Sequence, residues 1–144
     1  MASSCLGPGP AGMITLDTSA LFALMNRRDP AHPAVREALE KDLGPYLVPA
    51  GILAEIAYLL ERRYGMAVLD AFLADLEAGL YRLDCGERDL PRIRALVSRY
   101  ADLPLGFADA AAIACAERHG GTVLTLDRRD FGVVAGEGTI TVLP

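Results

Sequence analysis

Residues 13–26 read MITLDTSALFALMN, a short apolar run that ends in an aspartate and passes directly into a helical pattern. Met13–Leu16 has the length and character of a buried strand, and Ser19–Asn26 has the apolar spacing of a short helix. The same order returns near the end of the chain, where residues 122–127 read TVLTLD. These two stretches predict strands that each place an acidic side chain, Asp17 or Asp127, directly after their last residue.

Between these stretches, short strands alternate with helices. The predicted helices cover His32–Leu43, Pro49–Tyr64, Met66–Ala78, Glu87–Tyr100 and Phe107–His119. The predicted strands cover Tyr46–Val48, Leu80–Leu83, Thr122–Leu126 and Thr139–Leu143. This alternation predicts an α/β fold with a mainly parallel sheet. In such sheets, ligands bind beyond the carboxyl ends of the strands.

The composition indicates one well-packed domain with more apolar residues than its core alone requires. The chain has 144 residues, of which 52% are hydrophobic, and a length of roughly 100–150 residues is typical of a single domain. No apolar run approaches the roughly 20 residues that a membrane helix needs, so the surplus predicts a large core and a contact with another chain. We assign the domain to residues 13–144. Residues 1–12 are predicted to be a disordered leader, a vector-derived remnant, or the product of a start codon upstream of the true Met13.

The charge balance and the cysteines restrict the function further. A net charge of −5 argues against a general nucleic-acid coat protein, because phosphate binding normally needs a basic surface. It is compatible with a nuclease if several acids share one cation-filled site. The cysteines, Cys5, Cys85 and Cys115, are odd in number and far apart, which suits a reduced, cytoplasmic protein and gives no zinc-type spacing.

Four carboxylates stand out, although each also has an ordinary structural explanation. Asp17 and Asp127 could be helix N-caps. Asp109 lies in the first turn of an alanine-rich helix, where it could stabilise the helix dipole. Glu55 falls within an apolar stripe, where a carboxylate is costly unless it is paired or binds a metal; otherwise it could lie at the edge of the stripe and pair with Arg62 or Arg63.

Taken together, the four acids predict a metal site. In a parallel sheet the two strand ends share one edge, and the two helical acids can reach it. Carboxylates about 5 Å apart repel each other by roughly 3 kcal/mol at an effective dielectric constant near 20, so the group needs protons or a divalent cation. Ligands that are all oxygen favour Mg²⁺ or Mn²⁺ over zinc. Such a site cleaves phosphoesters.

The other polar residues are predicted to have structural roles. His32 and His119 lie at helix ends, and Cys85 and Cys115 have no basic neighbour in the sequence that would activate a thiol. Three further acids are predicted to lie in turns or at the surface: Asp29, Asp102 and Asp130. The pairs Arg62-Arg63 and Arg128-Arg129 could both contact RNA. Only Arg128 is singled out, because it adjoins an acid of the predicted site.

Four motifs in this order resemble the acidic motifs of PIN domains, in particular those of the VapC toxins of bacterial toxin–antitoxin pairs. The motifs are Asp17-Thr18-Ser19, the helical Glu55, residues 105–110 (LGFADA) and residues 124–131 (LTLDRRDF). The resemblance covers Met13 to Pro144, and no acidic position departs from the pattern.

The resemblance implies a three-layer α/β/α sandwich and a Mg²⁺- or Mn²⁺-dependent endoribonuclease that leaves a 5′-phosphate and a 3′-hydroxyl. It implies Asp17 and Asp109 as the main metal ligands, with Glu55 and Asp127 completing the catalytic set. Ser19 would support the site through a hydrogen bond. It also implies a homodimer and a VapB-like antitoxin whose C-terminal segment lies across the active groove.

Three alternatives remain open from the residues alone. A HAD-like phosphotransferase also carries an aspartate after its first strand, but it needs a second aspartate two residues later, where this chain has Ser19. A PIN-like scaffold could bind RNA or a protein without cutting. A DNA nuclease of related fold is a third possibility, since nothing in the sequence reads a 2′-hydroxyl.

Overall fold

The computed structural model describes residues 13–42 and 44–144, so the prediction for residues 1–12 lies outside it. The strands are β1 (Ile14–Leu16), β2 (Tyr46–Pro49), β3 (Arg82–Asp84), β4 (Thr122–Leu124) and β5 (Thr141–Leu143). The helices are α1 (Thr18–Leu24), α2 (His32–Glu40), α3 (Ala50–Tyr64), α4 (Met66–Ala78), α5 (Leu90–Arg99), α6 (Phe107–Arg118) and α7 (Arg128–Ala135), with a 3-10 turn at Glu87–Asp89.

The five strands form one parallel sheet in the order β3-β2-β1-β4-β5. Strands β2 and β3 follow in order on one side of β1, and β4 and β5 follow in order on its other side. Neighbouring strands β1 and β4 are therefore where the direction of building reverses, and Leu16 lies opposite Leu124 at their carboxyl ends. In open α/β sheets, the crevice outside such a switch point is the usual ligand site. With its flanking helices the sheet confirms the predicted α/β/α architecture.

Helix α6 lies at the centre of the helical packing. Residues 110–116 are all buried, and the helix packs against α3, α5, β1 and β4. A helix that is apolar on every side is expected to be enclosed, and its alanines allow the neighbouring backbones to come close. The prediction that the alanine-rich helix packs tightly is confirmed.

Helices α3 and α4 differ in how much of their apolar surface they bury. On α3, Ile52, Ile56 and Leu60 are fully buried. On α4, Phe72 is the buried residue, while Met66 and Leu73 are exposed by 65% and 42%. One apolar face of this helix pair therefore packs into the core, and part of the other faces solvent.

Several element boundaries differ from those predicted. Pro49 does not open α3: it ends β2 with an extended backbone and is the residue before the helix. The predicted helix Glu87–Tyr100 is divided, because Glu87–Asp89 forms a 3-10 turn and α5 begins at Leu90 with Pro91 in its first turn. Strand β4 ends at Leu124, so Asp127 does not follow it directly.

Within residues 13–42 and 44–144, none of the helices has the length and apolar character of a membrane span.

Candidate active site

Asp17 follows β1 directly, as predicted, and its side chain is buried at the switch point between β1 and β4. Its backbone N–H donates to the carbonyl of Leu124 at 3.0 Å, which extends the pairing of the two strands to this residue. Asp17 occupies the N-cap position of α1 with an extended backbone, as predicted, but its side chain makes no capping hydrogen bond, so capping does not account for this carboxylate. Instead, its Oδ2 accepts hydrogen bonds from Thr125 at 2.8 Å and Ser19 at 3.3 Å.

The two hydroxyls form a hydroxyl bridge, consisting of Ser19 and Thr125, between Asp17 and the loop after β4. Ser19 Oγ accepts from the backbone N–H of Leu126 at 2.9 Å, and Thr125 Oγ1 accepts from that of Asp127 at 3.0 Å. Each hydroxyl therefore accepts from the backbone and donates toward the carboxylate. The bridge fixes the loop that carries Asp127 relative to the carboxylate of Asp17. Ser19 thus hydrogen-bonds to an acid of the predicted site, and its supporting role there stays a prediction.

Burial and hydrogen bonding act in opposite directions on Asp17. Burial raises its pKa, as does the nearby charge of Glu55, whereas the hydrogen bonds from Thr125 and Ser19 lower it. The net effect is a raised pKa. Without a cation, the protein holds this carboxylate in a position where its charged form is unfavourable.

A second group of carboxylates lies where α6 and α7 begin. Oxygens of Asp109, Asp127 and Asp130 lie within 4.8 Å of one another, and all three side chains are partly buried. Asp109 comes from the first turn of α6. Asp127 precedes α7 and caps it, since its Oδ1 accepts from the backbone N–H of Asp130 at 3.0 Å. We call these three residues the aspartate trio.

The charges of the predicted acids converge on Asp109. Its pKa is raised to about 6, first by burial and then by the charges of Asp17, Asp127 and Glu55. Asp130 adds a smaller contribution of the same sign. The helix-dipole explanation of Asp109 predicts a stabilised carboxylate with a lowered pKa, which is the opposite of what is found. The fold thus brings all four predicted acids into one electrostatic field.

Glu55 lies on the solvent side of the site, and its charge acts on Asp17 and Asp109. It is exposed on α3, so the expectation that it lies inside the apolar stripe is wrong: it occupies the edge. Among the described residues, no ion pair joins it to Arg62 or Arg63. Its charge contributes to the raised pKa values of Asp17 and Asp109, which places its carboxylate on the side of the helix that faces the site.

Two site residues were not anticipated from the sequence. Asp130 was assigned to a turn or the surface, and Thr125 was given no role. The spacing of three residues between Asp127 and Asp130 was a usable signal, because residues that far apart share a face at the start of a helix. Thr125 gave a weaker signal, since a threonine inside a strand is ordinary.

The donor set of this site fits a hard divalent cation. The trio offers carboxylate oxygens at the separation expected around one ion, with no thiol or imidazole among them, and such ligands suit Mg²⁺ or Mn²⁺. A positive charge at this position would relieve the repulsion that raises the pKa of Asp109. Asp17 is not part of the trio, but its charge acts on Asp109 from close by.

Arg128 does not point its guanidinium group into the acidic site. Its Nη2 donates to the carbonyl oxygen of Pro144 at the exposed end of β5. The predicted supporting role of Arg128 in substrate binding therefore depends on release of this contact, and it stays a prediction.

A second polar cluster lies at the carboxyl end of β3 and is structural. Asp84 Oδ2 accepts from Arg118 at 2.6 Å and from the thiol of Cys115 at 2.9 Å, and Nε2 of the fully buried His119 lies 3.2 Å away. Burial favours the neutral acid, but the contacts with Arg118 and Cys115 outweigh it and keep the pKa of Asp84 lowered. Burial and the charge of Asp84 raise the pKa of the Cys115 thiol, which excludes it as a nucleophile. The fixed charge of Arg118 at this carboxylate disfavours a metal ion.

Comparisons with known proteins agree with this geometry. A profile of the PIN domain matches residues 14–137. The chain is 36% identical to ribonuclease VapC26 of Mycobacterium tuberculosis over 133 residues, which cover 90% of this chain and 98% of the relative. The crystal structure of the sarcin-ricin loop cleaving toxin VapC20 of Mycobacterium tuberculosis superposes with a TM-score of 0.76 at 25% identity and covers 91% of this chain and 99% of that one. A DNA-bound VapBC complex of Salmonella typhimurium has the same fold, with a TM-score of 0.69 at 17% identity over 90% of this chain and 96% of that one.

Proposed function

Because the chain belongs to the PIN-domain family, we propose that it is a Mg²⁺- or Mn²⁺-dependent endoribonuclease and the toxin of a type II toxin–antitoxin pair. One observation carries the proposal. At the switch point of the sheet, burial and the charges of acids from three other segments raise the pKa of Asp109 to about 6, an arrangement that is unfavourable until a cation binds. The relatives named as a ribonuclease and as a sarcin-ricin loop cleaving toxin support RNA as the substrate. The family membership also excludes the HAD-like alternative.

Each acid has a distinct proposed role. Asp17 and Asp109 hold the metal, and the hydroxyl bridge keeps the Asp17 carboxylate oriented toward it. A bound divalent ion supplies charge stabilisation for the phosphate and lowers the pKa of a bound water. Glu55 and Asp127 orient the attacking water and accept its proton, and Asp127 is suited to this because its capping bond with Asp130 fixes its orientation. Asp130 supports the site from the trio.

The proposed protein partner is a VapB-like antitoxin, and the proposed assembly contains a homodimer of this chain. VapBC complexes are among the solved structures with this fold. The exposed apolar side chains of α4, Met66 and Leu73, are suited to contact the apolar face of a partner helix. An antitoxin arginine could then neutralise the carboxylates in place of the metal.

Cleavage of RNA by the isolated chain tests the nuclease proposal. The chain, freed of any antitoxin, is incubated with structured RNA in Mg²⁺, in Mn²⁺ and in EDTA. We expect cleavage with either ion, loss in EDTA, and loss in Asp109→Asn and Asp17→Asn while thermal unfolding stays cooperative. Asp102→Asn is the matched control, since Asp102 is exposed outside the site, and it should cut normally. Full activity in EDTA, or in Asp109→Asn, would refute the mechanism, and a folded chain that binds RNA without cutting it would support the scaffold alternative.

Co-expression tests the partner proposal. Expression of the chain alone should arrest growth, and co-expression with the small protein encoded beside it should restore growth and yield a hetero-oligomer in sedimentation. A harmless, monomeric chain that is indifferent to its gene neighbour would refute the toxin assignment and leave the nuclease proposal standing.

A further inference from the structure

Helix α3 presents a line of three exposed residues that begins at the acidic site. Glu55, Tyr58 and Arg62 are spaced at i, i+3 and i+7, which places them on one face of the helix. This line borders the buried face of the helix, which carries Ile52, Ile56 and Leu60. Along the helix axis Tyr58 lies about 4.5 Å beyond Glu55, and Arg62 about 10.5 Å beyond it.

Tyr58 is the unusual member of this line. Its side chain is 60% exposed, although an aromatic ring normally contributes to a core or an interface. The guanidinium carbon of Arg62 lies 5.9 Å from the centre of the ring, so one side of the ring is associated with a cation.

An exposed ring beside an arginine is a combination that binds single-stranded nucleic acid. Bases stack on aromatic rings without regard to sequence, and arginine binds the phosphate that follows. Nucleotides in a stacked strand rise about 3.4 Å each, so the span from Glu55 to Arg62 matches about three nucleotides. The chain carries a net charge of −5 and concentrates acids at its site, so a cation next to the site is needed to hold a polyanion there.

We propose that Tyr58 and Arg62 form a binding track for a single-stranded segment of the RNA substrate, in which Tyr58 stacks on a base next to the cleaved bond and Arg62 binds a neighbouring phosphate. The track rests on the proposed nuclease function and specifies which part of the surface holds the substrate. It accounts for the position of Arg62, one of two adjacent arginines at the end of α3. The other, Arg63, lies 5.9 Å from the ring of Phe22 and faces a different side of the helix.

The neighbouring arginine provides a matched control. Arg62→Gln and Arg63→Gln remove the same charge from the same helix end, so helix-dipole effects are equal in both. Tyr58→Leu removes the aromatic face and keeps apolar bulk, whereas Tyr58→Phe keeps the ring. Because these side chains are exposed, all four variants should unfold within about 2 °C of the parent protein, in line with the small effects of surface substitutions.

Binding is measured by fluorescence anisotropy with a labelled mixed-sequence 12-nucleotide RNA, in an Asp109→Asn background that leaves the probe uncut. We expect Tyr58→Leu to weaken binding about 5- to 100-fold and Tyr58→Phe by less than about 3-fold. Arg62→Gln should reduce the slope of log Kd against log salt by about 0.7, and Arg63→Gln should leave it unchanged. A blunt RNA duplex should not distinguish Tyr58→Leu from the parent, because its bases are already stacked.

Equal effects of the two arginine variants, or unchanged single-strand binding in Tyr58→Leu, would overturn the track. So would a Tyr58→Leu variant that alters only dimerisation or antitoxin binding, since the face would then be a protein interface. These outcomes are distinct from failure of the nuclease proposal, which is judged by metal-dependent cleavage in the parent chain with Asp109 intact.

Discussion

Gly51→Ala is expected to separate the two helices that carry Glu55 and Asp109. Gly51 lies one turn before Glu55 on α3 and packs against α6. A Cβ atom at this position would lie 2.5 Å from Cβ of Ala111 and 3.2 Å from Cε2 of Phe107. Ordinary contacts begin at 3.4 Å, so the approach to Ala111 is too close by about 0.9 Å. The Phe107 ring can rotate away, but the Ala111 methyl group is fixed to the helix backbone and cannot.

Two opposing effects set the change in stability. Overpacking of a tight contact costs about 1–3 kcal/mol, while replacing glycine by alanine within a helix gains up to about 1 kcal/mol. The free energy of unfolding should therefore fall by about 1–2 kcal/mol, which lowers the Tm by about 3–10 °C for a domain of this size. Cleavage should fall further than stability, by up to about 100-fold, because a displacement of about 1 Å at catalytic groups has effects of that order.

Thermal unfolding and single-turnover cleavage measure the two effects, and Ala111→Gly supplies the compensating change. Alone, Ala111→Gly should cost about 1 kcal/mol through the lower helix propensity of glycine. In the double variant the clashing methyl group is gone, so activity should return to near the parent level, with a coupling energy of at least about 1 kcal/mol between the two positions. A Gly51→Ala protein that is as stable and active as the parent, or a strictly additive double variant, would refute the reasoning that this contact sets the spacing of the site.

Three further predictions concern titratable groups. The pKa of Asp109 is raised from 3.8 to about 6, so in metal-free buffer its ionisation lowers the free energy of unfolding as the pH rises from about 4 to 6. In chemical denaturation, Asp109→Asn should therefore be as stable as the parent at pH 4 and about 1 kcal/mol more stable at pH 7, a value already reduced for solvent screening. Thr125→Val keeps the side-chain shape but removes a hydrogen bond to Asp17, so the free energy of unfolding should fall by about 1.5–3 kcal/mol. Because that hydrogen bond lowers the pKa of Asp17, the acid limb of the pH–rate profile should move to higher pH, and an unmoved limb would contradict the role of the hydroxyl bridge. Asp84→Asn should lower the free energy of unfolding by about 3 kcal/mol at pH 7, and because the pKa of Asp84 is lowered, this difference from the parent should shrink as the pH falls below about 4. The folded variant should cleave RNA normally, and a large loss of cleavage would contradict the structural assignment of this cluster.

The elements and the acids of the site differ in how readily the sequence reveals them. Periodicity located all five strands and most helices, because alternating short strands and amphipathic helices leave a pattern in each segment. Boundaries were less accurate where one residue satisfies two interpretations: Pro49 fits the first turn of a helix and equally fits the end of a strand. The helix predicted from Glu87 was divided because Pro91 lacks an N–H and starts α5 afresh.

Contacts between distant segments were the hardest to anticipate. The sheet pairs β1 with β4, and the hydroxyl bridge connects Ser19 with Thr125 and Leu126. These contacts span about a hundred residues, and no local sequence pattern predicts contacts over that distance. Asp130 was missed for the opposite reason, since a local explanation as a surface acid was sufficient. The four principal acids could be predicted from the sequence because each occupies a position where an ordinary role is only partly satisfactory. In the structure, side-chain capping does not account for Asp17 and dipole stabilisation does not account for Asp109.

The central position of β1 has a consequence for synthesis of the chain on the ribosome. Asp17 is made early, yet β4, which pairs with its strand, and the backbone that fixes its carboxylate are made more than a hundred residues later. A nascent chain that stops before residue 122 contains Asp17, Glu55 and Asp109 but lacks β4, the loop after it, and Asp127 and Asp130 of the aspartate trio. The acidic site therefore cannot assemble until residue 130 has left the ribosome, and products truncated before β4 are expected to lack the proposed activity.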